Sequence, residues 1–322
     1  MRKFATLLVG CALLAAGAAH AQDQFPTKPI RFIVPFAPGG TADFLARLLG
    51  EKLSQRLPQR VVVDNRPGAA GNIGMEIVAR APADGHTIVI AMVGSWAMNP
   101  HLYKLSYDVA NDFAPIVHVA TMPGVLVVHP SVPVKTVKEY IALARKRPGE
   151  LTYGTAGVGT FAHVSGELLS QMTGVKLTHV PYKGSGPVMI DLVGGHLSSS
   201  FESITPALPY ITAGRVRALA TTGATRAQVL PDLPTIAEAG VPGFDNPSWG
   251  AIGAPARTPR RAIELLNKEI NAIMQTPEFK EAIRLSGGSI TGGTPEQFRD
   301  YLKSELAKFG KLFKAIGLKA GQ

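Results

Sequence analysis

PFAPGGTAD, residues Pro35 to Asp43, leaves the apolar run Ile30–Val34 and enters a stretch in which Phe44, Leu45, Leu48, Leu49, Leu53 and Leu57 fall on one helical stripe. The reading is strand, glycine turn, helix over 41–57, with Thr41 as the N-cap. Gly39 and Gly40 permit backbone angles closed to other residues, and the first amide hydrogens of a helix have no intrahelical acceptor. Those donors, with the positive end of the helix dipole, make an anion site that needs no basic side chain. Asp43, an acid on the first turn, is stabilised there by the dipole without any further role.

The device recurs. YGTAGVGTFAH, Tyr153 to His163, again runs from a strand through glycines to a helix start, and Thr155 and Thr160 add hydroxyls while His163 falls on the first helical turn. Two such units suit two similar domains facing one cleft. A third stretch, His179 to Ser203, turns at Lys183-Gly184-Ser185-Gly186, so that Lys183 and Ser185 are candidates to face a ligand. Asp191, late in the helix that follows, is poorly placed for the dipole and calls for a partner, most simply a salt bridge.

Around these loops the chain alternates. Ile30–Val34, Val61–Val63, Thr87–Ala91, Val125–His129, Leu151–Tyr153, Leu177–Val180, Leu197–Phe201, Val216–Ala220 and Ser248–Ile252 read as short buried strands with helical stretches between them. Thr136 with Glu139, and Thr294 with Gln297 behind Pro295, have capping-box spacing. The alternation predicts an α/β fold of mainly parallel sheets flanked by helices, which binds ligands at the carboxyl ends of its strands.

Residues 1–21 carry a basic start (Arg2, Lys3), an apolar stretch and small residues flanking His20, the pattern of a cleaved secretory signal peptide. Leu8-Val9-Gly10-Cys11 offers a rival lipoprotein reading, in which Cys11 is lipidated. Cleavage after Ala21 removes Arg2 and Lys3 from the 33 basic residues, leaving 31 against 23 acidic ones, a formal charge of +8. It also removes the one cysteine, and with it thiol catalysis, cysteine-bound metal and disulfides. The basic residues are scattered without aromatic interleaving, which argues against nucleic acid as a partner. No P-loop lysine, nucleophile-elbow serine or zincin histidine spacing is present, and Gly157-Val158-Gly159 is not continued as a dinucleotide fingerprint. No metal, cofactor or catalytic residue is expected.

Taken in order, PFAPGGTAD, VVVDNRPGAAGNIG (61–74), ADGHTIVIA (83–91), NPHLY (99–103), YDVANDFAPI (107–116), LTYGTAGVGTFAH (151–163), VPYKGSGP (180–187), DLVGGHL (191–197) and TTGATRAQVLPDLPTIAEAGVPGF (221–244) closely resemble the tripartite tricarboxylate transporter receptors, also called Bug-type solute-binding proteins. The resemblance implies a monomeric periplasmic receptor of the two-domain Venus-flytrap type, not an enzyme. It would capture a small organic acid, whether a di- or tricarboxylate, an aromatic carboxylate or an acidic amino acid, for membrane transporter subunits or a sensor. It divides the mature chain into 22–123 with 245–322 as one domain and 124–244 as the other. By the same match Phe36, Ala37, Gly39, Gly40, Thr41 and Asp43 of the first loop, Asn99, and Thr155, Ala156, Gly157, Thr160 and His163 of the second loop fall at the ligand. Trp96, in MVGSWAMN where small or polar residues are usual, either stacks on an aromatic acid in the cleft or belongs to the core. LSSSFES lacks the acidic residue common near Ser199. An exported hydrolase of an organic-acid ester or amide, with Ser185 and a histidine as its active pair, is the alternative reading.

Overall fold

β1 (Ile30–Val34) is buried over nearly its whole length because parallel neighbours flank it on both edges: β2 (Val61–Asn65) and β3 (Thr87–Met92). This is the arrangement that continuous Val/Ile runs require. A computed structural model of the chain describes residues 25–318; the signal-peptide reading of 1–21 and Cys11 lie outside them. β4 (Phe113–Met122) and β5 (Gly124–Val128) follow with Pro123 alone between them, then β6 (Thr152–Thr155), β7 (Thr178–Pro181), β8 (Ser199–Ser203), β9 (Arg217–Thr221), β10 (Ser248–Pro255) and β11 (Ser289–Ile290). They form two sheets, of order β11-β4-β10-β3-β1-β2 and β7-β6-β8-β5-β9. The chain therefore passes from the first sheet to the second at Pro123 and returns between β9 and β10.

Both sheets are mixed rather than mainly parallel. β10 runs antiparallel to β3 and β4, and β5 runs antiparallel to β8 and β9. The reason lies in the crossings: β5 and β10 arrive from the other sheet without a covering helix between, so no right-handed βαβ crossover sets their direction. β4 is the longest strand and escapes an alternation search because Pro115 interrupts it. Pro115 lies opposite Gly253, next to a register shift in β10, the kind of irregularity at which a strand tolerates proline.

Helices cover the sheets: α1 (Thr41–Arg56), α2 (Asn72–Ala79), α3 (Asn99–Leu102), α4 (Val137–Lys146), α5 (Phe161–Thr173), α6 (Ser185–Val193), α7 (Ile204–Thr212), α8 (Arg260–Met274), α9 (Pro277–Leu285) and α10 (Pro295–Ile316). The Thr294/Gln297 capping box forms at the start of α10, and Thr136 Oγ1 accepts from the Glu139 N–H at the start of α4. α10 lies against the first sheet, where Glu305 accepts the Trp249 indole N–H at 2.8 Å and Phe298 packs edge-on to Trp96 and Trp249. Among the described residues no helix is long and apolar enough to cross a membrane.

Candidate functional site

Each glycine loop is pinned by a side chain four residues beyond one of its glycines. Asp43 Oδ2 accepts the Gly39 N–H at 3.1 Å, and His163 Nδ1 accepts the Gly159 N–H at 3.2 Å. Asp43 also accepts from Arg47 and from Asn65 Nδ2, whose amide reaches the Phe36 carbonyl as well. Burial alone would push the Asp43 carboxyl up, but the bonds from Arg47, Gly39 and Asn65 together hold it below the usual carboxylate range. Burial pushes His163 down to about 4, so the ring is neutral and Nδ1 is free to accept. In the second loop the Thr155 and Thr160 hydroxyls both bond the Gly157 carbonyl, and Thr155 also meets His179 Nε2 at 2.6 Å. Asp43, Thr155 and His163 therefore shape the loops rather than face the space between them.

That space is a cavity at the carboxyl ends of β1, β3, β6 and β8, between the two sheets. Phe36, Gly40, Thr41, Ala156, Thr160 and Ser185 line it, together with Met92, Gly94, Phe161, Phe201, Glu202, Ser203 and Ser248. Four helices begin on its wall. α1 starts after Gly40, α5 after Thr160, α6 after Gly184 and α7 after Ser203, and none of these N-caps bonds its helix through a side chain. The N-cap of α1 is Gly40, one residue before the Thr41 that the sequence pattern predicts. The Thr41 hydroxyl, 5% exposed, is left on the cavity wall without a hydrogen-bond partner. No basic side chain lines the cavity among the described residues. The donors it offers an anion are backbone N–H groups at helix ends.

The two lobes approach backbone to backbone around this cavity. The Ala37 N–H donates to the Lys183 carbonyl at 3.0 Å, and the Tyr103 hydroxyl donates to the Val158 carbonyl at 2.7 Å. A Cβ added at Gly186 would lie 2.5 Å from the Pro38 carbonyl oxygen, one at Gly184 3.0 Å from Ala37, and one at Gly94 3.0 Å from the Gly159 carbonyl. Gly157, at φ +130°, faces Ala70 in the same way.

Trp96, Asn99, Lys183 and Asp191 are not on the cavity wall. Trp96 is core: fully buried in a π-helical turn over Gly94–Met98, it donates to the Ala251 carbonyl and packs edge-on between Phe113 and Phe298. Asn99 is fully buried and donates to the Ala70 carbonyl and to Asn72 Oδ1. Lys183 is exposed and contributes its carbonyl. Asp191 has its partner in the Tyr182 hydroxyl, at 2.5 Å, instead of a salt bridge.

Glu202 is singled out by none of the sequence motifs, yet it lies at the site. Its side chain lies in the cavity wall at 2% exposure, because β8 is flanked by β6 and β5 and covered by α5 to α7. Burial pushes its carboxyl up to about 7, against hydrogen bonds from Ser185, Ser200 and the Ser203 N–H. Ser185 thus pairs with an acid, while the nearby His163 and His179 rings are held by Gly159 and Thr155. Its signal in the sequence is an acid closing a strand just before a helix start, SFES, three residues beyond Ser199.

The family model described as "Tripartite tricarboxylate transporter family receptor" matches residues 45–318. A protein of Pseudomonas sp. (strain P51), described as "UPF0065 protein in tcbD-tcbE intergenic region", is 42% identical over 98% of this chain and 95% of its own. The structure of R. palustris Rpa4515 with adipate superposes with a TM-score of 0.90 at 40% identity, covering 92% of this chain and all of that one. MatC from Rhodopseudomonas palustris with bound malate follows at 0.86 and 29%, over 89% of this chain and 99% of its own.

Proposed function

The chain belongs to the tripartite tricarboxylate transporter receptor family, and on that premise we propose that it is a periplasmic receptor which captures a small aliphatic dicarboxylate between its lobes and presents it to transporter subunits. The observation that carries this reading is the meeting on one cavity of the free Thr41 hydroxyl with the starts of α1, α5 and α6, none of them capped by a side chain and with no basic side chain on the wall among the described residues; the first amide of α7 is already taken by the Pro123 carbonyl. A carboxylate there replaces the missing caps of helices from both lobes, so it binds the closed form better than the open one and shifts the population towards closure. Adipate and malate, bound in the two related structures, support a ligand of this size.

The test is a thermal-shift and calorimetric titration of refolded, ligand-stripped protein with succinate, malate, glutarate and adipate, repeated on Thr41→Val. At a hundred times its Kd a ligand stabilises by about 2.7 kcal/mol. Thr41→Val is expected to keep its melting temperature within about 2 °C and to bind about 10-fold more weakly, the loss of one hydrogen bond to a charged group. No response to any of these acids in the unmodified protein overturns the proposal.

A further inference from the structure

The cavity that gathers amide donors for an anion also holds a carboxyl group of its own. Glu202 lines it beside the starts of α5, α6 and α7, with Phe161, Ala162, Ser185 and Ser203 on the same wall. An incoming carboxylate drawn to those amides comes within reach of Glu202, and two carboxylates confined in one dry site do not both stay ionised. Among the described residues no cation is paired with Glu202. The groups acting on it are Ser185, Ser200 and Ser203. On the elements packed around it, the Tyr153 hydroxyl of β6 donates to Glu167 of α5, His163 of α5 accepts from Gly159, and Asp191 of α6 accepts from Tyr182. Beyond them, His179 of β7 is engaged by Thr155, Tyr210 lies towards the far end of α7, and across the seam Asp43 of α1 is held by Gly39 and Arg47. β5 carries no ionisable side chain.

We propose that capture of the dicarboxylate is proton-linked: Glu202 takes one proton from solvent as the ligand enters, and in its neutral form donates a hydrogen bond to a ligand carboxylate. The inference rests on the carboxylate reading above and adds to it the protonation state of the complex. The Ser185 hydroxyl bonded to Glu202 sits at the seam, facing Gly40 of the other lobe, so the protonated acid and lobe closure act on the same spot. The sign follows from burial, which makes the Glu202 carboxyl a weaker acid. Below about pH 7 Glu202 is already neutral and binding needs no further proton; above it, each complex must draw one from solvent and affinity falls.

The experiment is calorimetric titration with succinate, malate and adipate at pH 6.5, 7.5 and 8.5, each in two buffers of different ionisation enthalpy, on the unmodified protein and on Glu202→Gln. Over this range aliphatic dicarboxylates are fully ionised. The expected result is a Kd rising towards 10-fold per pH unit above pH 7, with proton uptake approaching one per ligand at pH 8.5. Glu202→Gln, which keeps a hydrogen-bond donor and removes the titration, is expected to bind with pH-independent affinity close to that of the unmodified protein at pH 6.5. Binding without proton uptake, or affinity that rises with pH as a cationic ligand group facing ionised Glu202 would produce, overturns the proton linkage and leaves the anion site standing. Failure of every acid to bind at every pH removes the carboxylate reading and this inference with it.

Discussion

Asp43 and His163 occupy equivalent places in two loops and do the same job with unlike chemistry. One is a carboxylate held charged by Arg47 and Asn65; the other is an imidazole held neutral by burial. Each fixes a glycine N–H that would otherwise swing freely, and so fixes the direction of the amides that follow. Asp43→Ala leaves the Gly39 N–H and the Arg47 guanidinium without their acceptor and is expected to cost about 2 kcal/mol of stability, a fall in melting temperature of about 4–8 °C by chemical or thermal denaturation. An unchanged melting temperature would mean that the loop holds its shape without this pin. The sequence supplied the residue types and their four-residue offset from a glycine. It did not supply the direction in which the side chains turn, which is why both were expected at the ligand. Trp96 failed to be legible for the same reason: a π-helical turn rotates its ring under the first sheet, and spacing arguments assume α or β periods.

At the level of elements, the strand-turn-helix units were legible because they are local: an apolar run, glycines, then a leucine stripe. The cavity was less so, since it depends on which strands lie side by side. α7, whose start completes the ring of helix ends, follows β8 without any glycine turn to announce it. Glu202 reads in isolation as the polar member of a strand, and only its place between β6 and β5 buries it. The uncapped starts also predict a trade between stability and binding. An acid on the first turn normally stabilises a helix by about 0.3–1 kcal/mol. Ala42→Asp, placing a carboxylate on the cavity side of the α1 start, is expected to leave the fold intact and to weaken dicarboxylate binding more than 10-fold, because it competes for the same amides. Unimpaired binding in titration would show that the α1 terminus is not part of the site.

For the whole molecule, the decisive geometry is the seam between lobes. Gly186 lies inside α6 with an ordinary backbone conformation, yet its Cα faces the Pro38 carbonyl so closely that no methyl group fits between. Gly186→Ala is therefore expected to keep each lobe folded and to hold the pair apart. Ligand affinity should drop at least 10-fold, with the melting temperature of the ligand-free protein changed by less than about 2 °C. A calorimetric titration beside a small-angle scattering comparison with and without succinate reads both effects; tight binding with normal compaction would show that the lobes close without this contact. The seam has a further consequence in conformational entropy. Most interfaces freeze long side chains as they form, at about 0.5–1.5 kcal/mol for each one immobilised. Here Gly39, Gly94, Gly157, Gly184 and Gly186 bring main chain to main chain, so closing locks few rotamers, and the free energy gained from a molecule of only a few carbon atoms is not consumed in ordering the lips that enclose it.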